Sequence, residues 1–320
     1  MTKMTKIKKS NIMKKTVIIL IILISVIIFS PLYAQVASRD EILFFTAEWT
    51  GERYPDGRPR VSDELLERIK NISIEEAWGI LQGEGYFNQF AGDWKMIYEN
   101  KPFTGRALTV AYIPDRPDLQ KRMLEKGHAE GMIGAMNSWP IDMLKDGDVY
   151  VADCFGKVVD GTLIGDNLGN AIYAKSHRGV IFDAGVRDLE GLENIEGFNA
   201  YVRGWDPSYL KGVMLSGINV PIKIGNAVVF PGDVVLAKRE GVIFIPPHLA
   251  EKVALTAEFI MLRDQFGHQR LKEGKYTPGQ IDAKWTDEIK KDFLKWLDDN
   301  PDLLPMTREE LDEYMKERTW

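Results

Sequence analysis

The pattern of apolar and polar positions divides the chain into a helical region, a region of short strands and a second helical region. Ser62 is followed by two acidic residues and by apolar residues at helical spacing, which predicts a capped helix. A second helix is predicted over Ile74–Gln82. The preceding stretch, 35–61, contains two glycines and two prolines, so we expect it to be irregular.

The middle of the chain, about 103–247, alternates short apolar runs with helical stretches at 118–136 and 167–177. The predicted strands are Ala107–Ile113, Asp148–Ala152, Gly179–Phe182, Val220–Ile224 and Val234–Ala237. Alternation of this kind predicts the α/β class. Residues 248–270 then form a predicted helix, an aromatic stripe recurs at helical spacing beyond a Gly/Pro break, and a last helix begins at Thr307. The stripe is more typical of packing than of a ligand site.

One local pattern occurs twice. Gly147-Asp148 and Gly232-Asp233 each precede an apolar run, and each run is followed by a polar turn and a second apolar run. The pattern predicts a Gly-Asp turn that leads into a buried strand and then a hairpin. Asp148 and Asp233 are therefore expected to be turn formers.

The N-terminus carries a strong targeting signal. Residues 17–30 are an apolar run of 14 behind a flank with six lysines and no acid, and Ala34 follows soon after. Because a spanning helix needs about 20 apolar residues, we expect a signal peptide over 1–34 with cleavage after Ala34. The alternative is an uncleaved membrane anchor. Both readings place the body of the protein outside the cytoplasm, in the periplasm or secreted.

Composition narrows the class further. The chain has 320 residues, 45% of them hydrophobic, which is typical of a globular protein. Its one cysteine, Cys154, excludes an intrachain disulfide and is expected to be buried as a small hydrophobe. Beyond residue 34 there are 35 basic and 47 acidic side chains, so nucleic acid is not the expected partner.

The candidate chemistry is concentrated in residues 165–188. The predicted strand Gly179–Phe182 leads towards Arg187-Asp188, and ligands of α/β proteins gather at the carboxyl ends of strands. Arginine binds carboxylates and aspartate binds hard divalent cations. Upstream, the start of a helix at Gly165-Asp166-Asn167-Leu168 offers backbone N–H groups to an anion. This set suits a 2-oxo acid bound with Mg²⁺ or Mn²⁺, which would stabilise the enolate formed when a C–C bond breaks.

The spacing of these residues resembles that of the RraA-like family, which includes 4-hydroxy-4-methyl-2-oxoglutarate aldolases and the regulator of ribonuclease activity A. Family aldolases carry an acid, twenty intervening residues and Arg-Asp, as Asp166 and Arg187-Asp188 do here. Asn219-Val220-Pro221 and Pro231-Gly232-Asp233-Val234-Val235 also resemble family elements. The resemblance extends over about 103–265.

The resemblance implies a β/β/α swivelling-domain fold, with an appended C-terminal helical segment here, assembled as homotrimers or hexamers. It implies that Arg187 binds substrate oxygens, that Asp188 holds the metal and that Asp166 supports the metal through a water. The pyruvate carboxylate would lie on the backbone of Asn167 and Leu168, beside Gly165.

Family aldolases also use an acid from the C-terminal region of the neighbouring subunit. Glu258 and Asp264 are both candidates here. Asp166 could instead be a helix N-cap, and His177 is expected to face solvent rather than act as a base.

The expected domains are a signal peptide (1–34), a lead-in with helices (35–102), a catalytic domain (103–265) and a C-terminal helical extension (266–320). The expected function is that of an exported, metal-dependent lyase that cleaves 4-hydroxy-2-oxo acids to pyruvate and also decarboxylates oxaloacetate. The alternatives are a non-catalytic regulator that binds proteins without metal, and a related metal enzyme that acts on another oxo or sugar acid.

Overall fold

A computed structural model describes residues 35–316 of the protein. The strands are β1 (Phe90–Ala91), β2 (Lys95–Met96), β3 (Phe103–Pro114), β4 (Asp148–Thr162), β5 (Val180–Val186), β6 (Ala200–Trp205), β7 (Val213–Ile218), β8 (Ile222–Ile224), β9 (Ala227–Val229), β10 (Val234–Lys238) and β11 (Gly241–Ile245). The α-helices are α1 (Arg39–Phe45), α2 (Asp63–Asn71), α3 (Ile74–Gly83), α4 (Pro117–Ala129), α5 (Trp139–Met143), α6 (Asp166–Ser176), α7 (Leu189–Glu193), α8 (Ala250–Lys272), α9 (Pro278–Ile281), α10 (Asp287–Asp299) and α11 (Arg308–Lys316). Short 3₁₀ turns occur at Pro247–Leu249 and Pro301–Leu303. The predicted signal peptide lies outside the described residues.

The strands of residues 35–316 form a nine-stranded sheet and a small hairpin. The sheet order is β1-β11-β10-β3-β4-β5-β6-β2, with β7 also paired with β3, while β8 and β9 form the hairpin. The pairs β3/β4, β4/β5 and β5/β6 are parallel, and β10 and β11 extend the sheet in antiparallel fashion. Helices connect the parallel strands, which confirms the predicted α/β class.

The sheet separates two apolar layers. Side chains of β4 alternate, so that Tyr150 and Ala152 pack under the helices while Val149 and Val151 pack under the β8–β9 hairpin. At the antiparallel end, α2, α3 and α8 cover β10 and β11. The resulting order of layers is hairpin, sheet and helices, as the β/β/α expectation requires.

The helix starts follow the local capping signals. Ser62 accepts a hydrogen bond from the N–H of Leu65, and Thr307 forms a capping box with Glu310. One helix was not expected, because α1 occupies part of the stretch predicted to be irregular. Its capping box, Ser38 with Glu41, is the local signal that precedes it.

The two Gly-Asp segments form turns as predicted. Asp148 accepts a hydrogen bond from the N–H of Lys145 (2.8 Å), and Asp233 accepts one from the N–H of Phe230 (2.7 Å). The second copy leads into the β10–β11 hairpin. The hairpin predicted for the first copy is wrong: both halves of β4 pair with β5, and the break at Phe155 only shifts the register.

The C-terminal helices pack on the distal half of α8. Phe266 of α8 lies 5.3 Å from Phe293 of α10, ring centre to ring centre, and both side chains are buried. The aromatic stripe therefore packs as core, which confirms that interpretation. Cys154 is buried, as expected. Among the helices described, none is long and apolar enough to span a membrane.

Two fully buried arginines fasten the lead-in to the sheet. The Arg58 guanidinium binds Asp148 at the start of β4 (3.0 Å) and Asp56 (2.9 Å). The Arg106 side chain in β3 donates to the carbonyl of Val61 (2.5 Å) and to Asp63 (2.8 Å). A guanidinium with no exposed surface is stable only with such partners, so these bonds fix the course of the lead-in.

Replacement of Arg58 should test this attachment. Arg58→Met leaves the fully buried Asp148 carboxyl without its cation, and we expect the free energy of unfolding to fall by about 3–5 kcal/mol in urea titrations. Arg60→Met is the control, because Arg60 forms a surface pair with Glu52 that solvent screens, so its loss should change the free energy of unfolding little. Equal effects of the two substitutions would contradict the structural role of Arg58.

The buried Asp233 should make stability depend on pH. Burial raises the pKa of its carboxyl from 3.8 to about 8, against the lowering effect of the Phe230 N–H. The folded state therefore keeps a proton that the unfolded state loses, and the free energy of unfolding should fall as pH rises from 4 to 8. The slope approaches about 1.4 kcal/mol per pH unit. Urea titrations across this range should show a flatter profile for Asp233→Asn, and parallel profiles would contradict the assignment.

Candidate functional site

The carboxyl ends of β4, β5 and β6 lie at one edge of the sheet, and the segments that leave them are joined by backbone hydrogen bonds. The N–H of Leu163 donates to the carbonyl of Gly185 (3.0 Å), and the N–H of Arg187 donates to the carbonyl of Ile164 (3.1 Å). These bonds bring the segment before α6 against the segment before α7. The two halves of the predicted motif therefore meet at this edge, where α/β proteins bind ligands.

Two acid–glycine contacts define how the halves meet. The carboxylate of Asp188 lies against Gly165, and a Cβ at that glycine would overlap Asp188 Oδ2. The side chain of Asp166 in turn lies against Gly191 of α7, where a Cβ would also overlap it. Each carboxylate is thus held beside the backbone that carries the other. Gly191 was not singled out from the sequence.

Asp166 does not cap its helix through its side chain, so that alternative is wrong. The N-cap of α6 is Gly165, and Asp166 is the first helical residue. Its Oδ1 accepts a hydrogen bond from the N–H of Asn167 (2.8 Å). Two backbone N–H groups were predicted to bind a substrate carboxylate. The N–H of Asn167 is bound to Asp166, so the N–H of Leu168 is the one that could still bind the substrate.

Asp188 has an unusual backbone conformation. Its φ is +57°, in the left-handed region that costs a non-glycine residue roughly 1 kcal/mol or more. Its side chain makes no capping hydrogen bond to α7. The carboxylate instead lies beside Gly165 and 3.4 Å from the Arg187 guanidinium. The strained conformation keeps this carboxylate at the site and away from its own helix.

The Arg187 guanidinium lies over the ring of Tyr209, 5.0 Å from the ring centre. The contact keeps a side chain that is 35% exposed close to the site. Tyr209 belongs to the loop after β6, which is fastened to the end of β4 by hydrogen bonds from Thr162 and the N–H of Asp160 to Ser208. No motif in the sequence pointed to Tyr209, because its position depends on this contact between distant segments.

These elements surround a cavity of about 220 Å³. It is lined by the end of β4, the first turn of α6, Arg187, Tyr209, Leu210 and Asn137. Asn137 donates from its side-chain amide to the carbonyl of Leu163 (2.7 Å), which steadies the loop before α6. No motif in the sequence indicated Asn137, which precedes the short helix α5.

The residues at this edge could hold a divalent cation through one or two carboxylates, with water as the remaining ligands. Within residues 35–316 no group of three acids, histidines or cysteines comes together as a full protein cage. Mg²⁺ usually binds proteins through one or two carboxylates and keeps several waters. Asp188 could be such a carboxylate ligand, because its side chain is 39% exposed and accessible to a hydrated cation. Its Oδ2 occupies the space that a Cβ at Gly165 would fill. Asp166 is the second carboxylate at the same edge.

The remaining candidates lie elsewhere. Glu258 is buried and forms a two-pronged ion pair with Arg68 (2.9 and 2.6 Å), so it is engaged within its own subunit. Asp264 is exposed in a groove of about 600 Å³ between α3 and α8. His177 ends α6, faces solvent and binds Asp146 (2.9 Å), which confirms the structural interpretation.

Comparison with known proteins finds two relatives by sequence. A protein of Methanocaldococcus jannaschii without a characterised function is 25% identical over 166 residues, which cover 50% of this chain and 79% of that protein. A protein of Halalkalibacterium halodurans with the provisional name 4-hydroxy-4-methyl-2-oxoglutarate aldolase is 29% identical over 112 residues. That match covers 35% of this chain and about half, 52%, of the relative.

Solved structures share the fold. An uncharacterised protein from Pseudomonas syringae pv. tomato has a TM-score of 0.59 at 20% identity, over 72% of this chain and 99% of its own. Streptomyces coelicolor RraAS2, described as an unusual member of the RNase ES inhibitor RraA protein family, has a TM-score of 0.57 at 22% identity, over 66% and 100% of the two chains.

The sequence model of one family matches residues 60–244, which is more than half of the 320 residues and includes the whole 165–188 segment. That family is described as RraA-like, Aldolase/RraA. The protein therefore belongs to the RraA-like family.

Proposed function

We propose that the protein is a divalent-metal-dependent lyase that cleaves 4-hydroxy-2-oxo acids, such as 4-hydroxy-4-methyl-2-oxoglutarate, to pyruvate. The observation that carries the proposal is the meeting of Arg187, Asp188 and Asp166 at one sheet edge. Arg187 and Asp166 line a cavity of about 220 Å³ there, and the Asp188 carboxylate lies against Gly165 in the wall of that cavity. Membership of the RraA-like family and the provisional name of the Halalkalibacterium relative support it. Decarboxylation of oxaloacetate would require the same stabilisation of charge and is proposed as a second activity.

Arg187 would bind and orient the substrate. Its guanidinium carries donors suited to a carboxylate or a 2-oxo oxygen, and the Tyr209 ring limits its rotation. The N–H of Leu168, at the start of α6, would add a donor to the substrate carboxylate. Holding the substrate by its acid end would fix its orientation and so lower the entropic cost of the reaction.

Asp188 would hold Mg²⁺ or Mn²⁺, with Asp166 in support through a water. The bound cation would supply Lewis-acid stabilisation of negative charge on the substrate's oxo oxygen. Asp166 Oδ2 is the oxygen not engaged by Asn167, and it would orient a water that carries the proton between substrate and solvent.

We also propose where the enzyme acts and how it assembles. The apolar run at 17–30 would direct export to the periplasm or beyond, and the chain would assemble as homotrimers or hexamers. In such an assembly Asp264, exposed on α8, would be the acid offered to a neighbouring site, since Glu258 is bound to Arg68.

Release of pyruvate is the decisive measurement. The purified protein should form pyruvate from 4-hydroxy-4-methyl-2-oxoglutarate with Mg²⁺, and EDTA should abolish the activity. Arg187→Gln and Asp188→Asn should each lower kcat/KM by about 10²–10³ because each removes a group that stabilises developing charge. Asp118→Asn is the control: Asp118 forms an exposed pair with Arg116, and its replacement should leave kcat/KM unchanged.

Three outcomes would contradict the proposal. Full activity of the Arg187 and Asp188 variants would place the chemistry elsewhere. A folded protein that neither forms pyruvate nor binds Mg²⁺ would favour the regulator interpretation. A protein that binds Mg²⁺ without forming pyruvate from either substrate would indicate different chemistry at the same pocket.

Gly165→Ala should show whether the position of the Asp188 carboxylate matters, because it moves that carboxylate without changing its chemical nature. The new methyl group would occupy the place of Asp188 Oδ2, although the glycine φ of −116° is open to alanine. We expect pyruvate formation to fall by about 100-fold, as for a catalytic group displaced by about 1 Å. Gly79→Ala is the control, because nothing lies within 4 Å of a Cβ there. Unchanged activity of the Gly165 variant would show that the Asp188 position is not required.

A further inference from the structure

A second cavity, of about 290 Å³, shares no lining residue with the Arg187 cavity. It lies between the lead-in and the β9–β10 and β11–α8 connections. Four aromatic side chains are among its lining residues: Phe45, Trp49, Tyr86 and Phe230. The rings of Phe45 and Phe230 are 6.1 Å apart, centre to centre, so the end of α1 is packed directly on the turn before β10.

A carboxyl group without a cation lies in the wall of this cavity. Asp233 is only 5% exposed, and its Oδ2 accepts the N–H of Phe230 (2.7 Å). Its Oδ1 has no hydrogen-bond partner within the described part of the chain. No lysine or arginine occurs among the described residues that line the cavity. The turn itself needs one carboxylate oxygen, so the second is available to a ligand.

The other titratable groups that face the cavity are Glu48, Tyr86 and His248. Tyr86 Oη lies 3.1 Å from His248 Nε2, and burial lowers the pKa of His248, so this pair is neutral at pH 7. Glu48 is exposed at the rim and makes no ion pair among the residues described. Arg53 lies behind the wall, where it binds the carbonyls of Thr46 and Trp49 and does not line the space.

We propose that this cavity binds a small organic cation of the alkylammonium class, with its charged head between Asp233, Glu48 and the aromatic rings. Aromatic faces and carboxylates are the groups that recognise such cations, and an anion would find no positive partner here. The size agrees, because a cavity of about 150 Å³ holds benzene and this one is about twice as large. The site is therefore distinct in charge from the proposed acid-binding site at Arg187.

Binding should release a proton. Burial raises the pKa of Asp233 to about 8, so the carboxyl is mostly protonated at pH 7, and a cation beside it favours the ionised form. Calorimetric binding enthalpies at pH 7 should then differ between buffers of different ionisation enthalpy, by an amount that corresponds to up to about one proton. A hydrophobic fit alone would show no such difference.

The test uses a charged probe and its neutral isostere on the full chain. Choline should bind about tenfold more tightly than 3,3-dimethylbutan-1-ol, which has the same shape without the charge. Asp233→Asn should remove this preference, since asparagine keeps the oxygen that accepts the Phe230 N–H. Glu48→Gln should weaken choline binding without a change in fold. Asp282→Asn, at an exposed acid that directly follows α9, should not alter it.

Equal binding of choline and its isostere, an unchanged preference in Asp233→Asn, or no detectable binding of choline would each overturn the proposal. If Asp233→Asn does not fold, the Glu48→Gln variant and the buffer dependence of the enthalpy decide the question.

Discussion

The buried ion pair between Arg58 and Asp148 is the constraint on which the arrangement of this protein depends. Both side chains are fully buried, so neither charge is tolerable without the other. Asp148 is the first residue of β4, the strand at the centre of the parallel part of the sheet. The pair therefore fixes the lead-in against the strand whose far end forms the site.

At the far end of β4, close packing of carboxylates against glycines brings the two halves of the site together. Gly165 and Gly191 allow the two carboxylates to approach the opposite backbone, and the left-handed conformation of Asp188 keeps its side chain away from its own helix. Both features cost conformational freedom or strain, which is typical of positions where geometry serves a site. The Arg187–Tyr209 contact adds the loop after β6 to the same assembly.

The two cavities differ in their charged groups. One combines Arg187 with the Asp166 carboxylate and a helix start, and the other has Asp233, Glu48 and aromatic rings without a lysine or arginine among its described lining residues. They also draw on different parts of the chain, because the lead-in forms a wall only of the second. The segment that precedes the match to the family model thus has a defined structural place: α1 and the turn after it close one end of the Asp233 cavity.

The sequence by itself determined those features that depend on interactions between residues close together in the chain. The caps at Ser62 and Thr307 and the Gly-Asp turns involve residues three apart, and a strand end, a fixed spacing and an Arg-Asp pair sufficed to locate the candidate site. Tertiary structure decided the rest. Parallel pairing of both halves of β4 with β5 replaced an expected hairpin, and Tyr209 reached Arg187 through a loop held by β4. The Asp233 cavity closed between residues about 200 positions apart. Such contacts depend on burial and on chain closure over long distances, which no local pattern encodes.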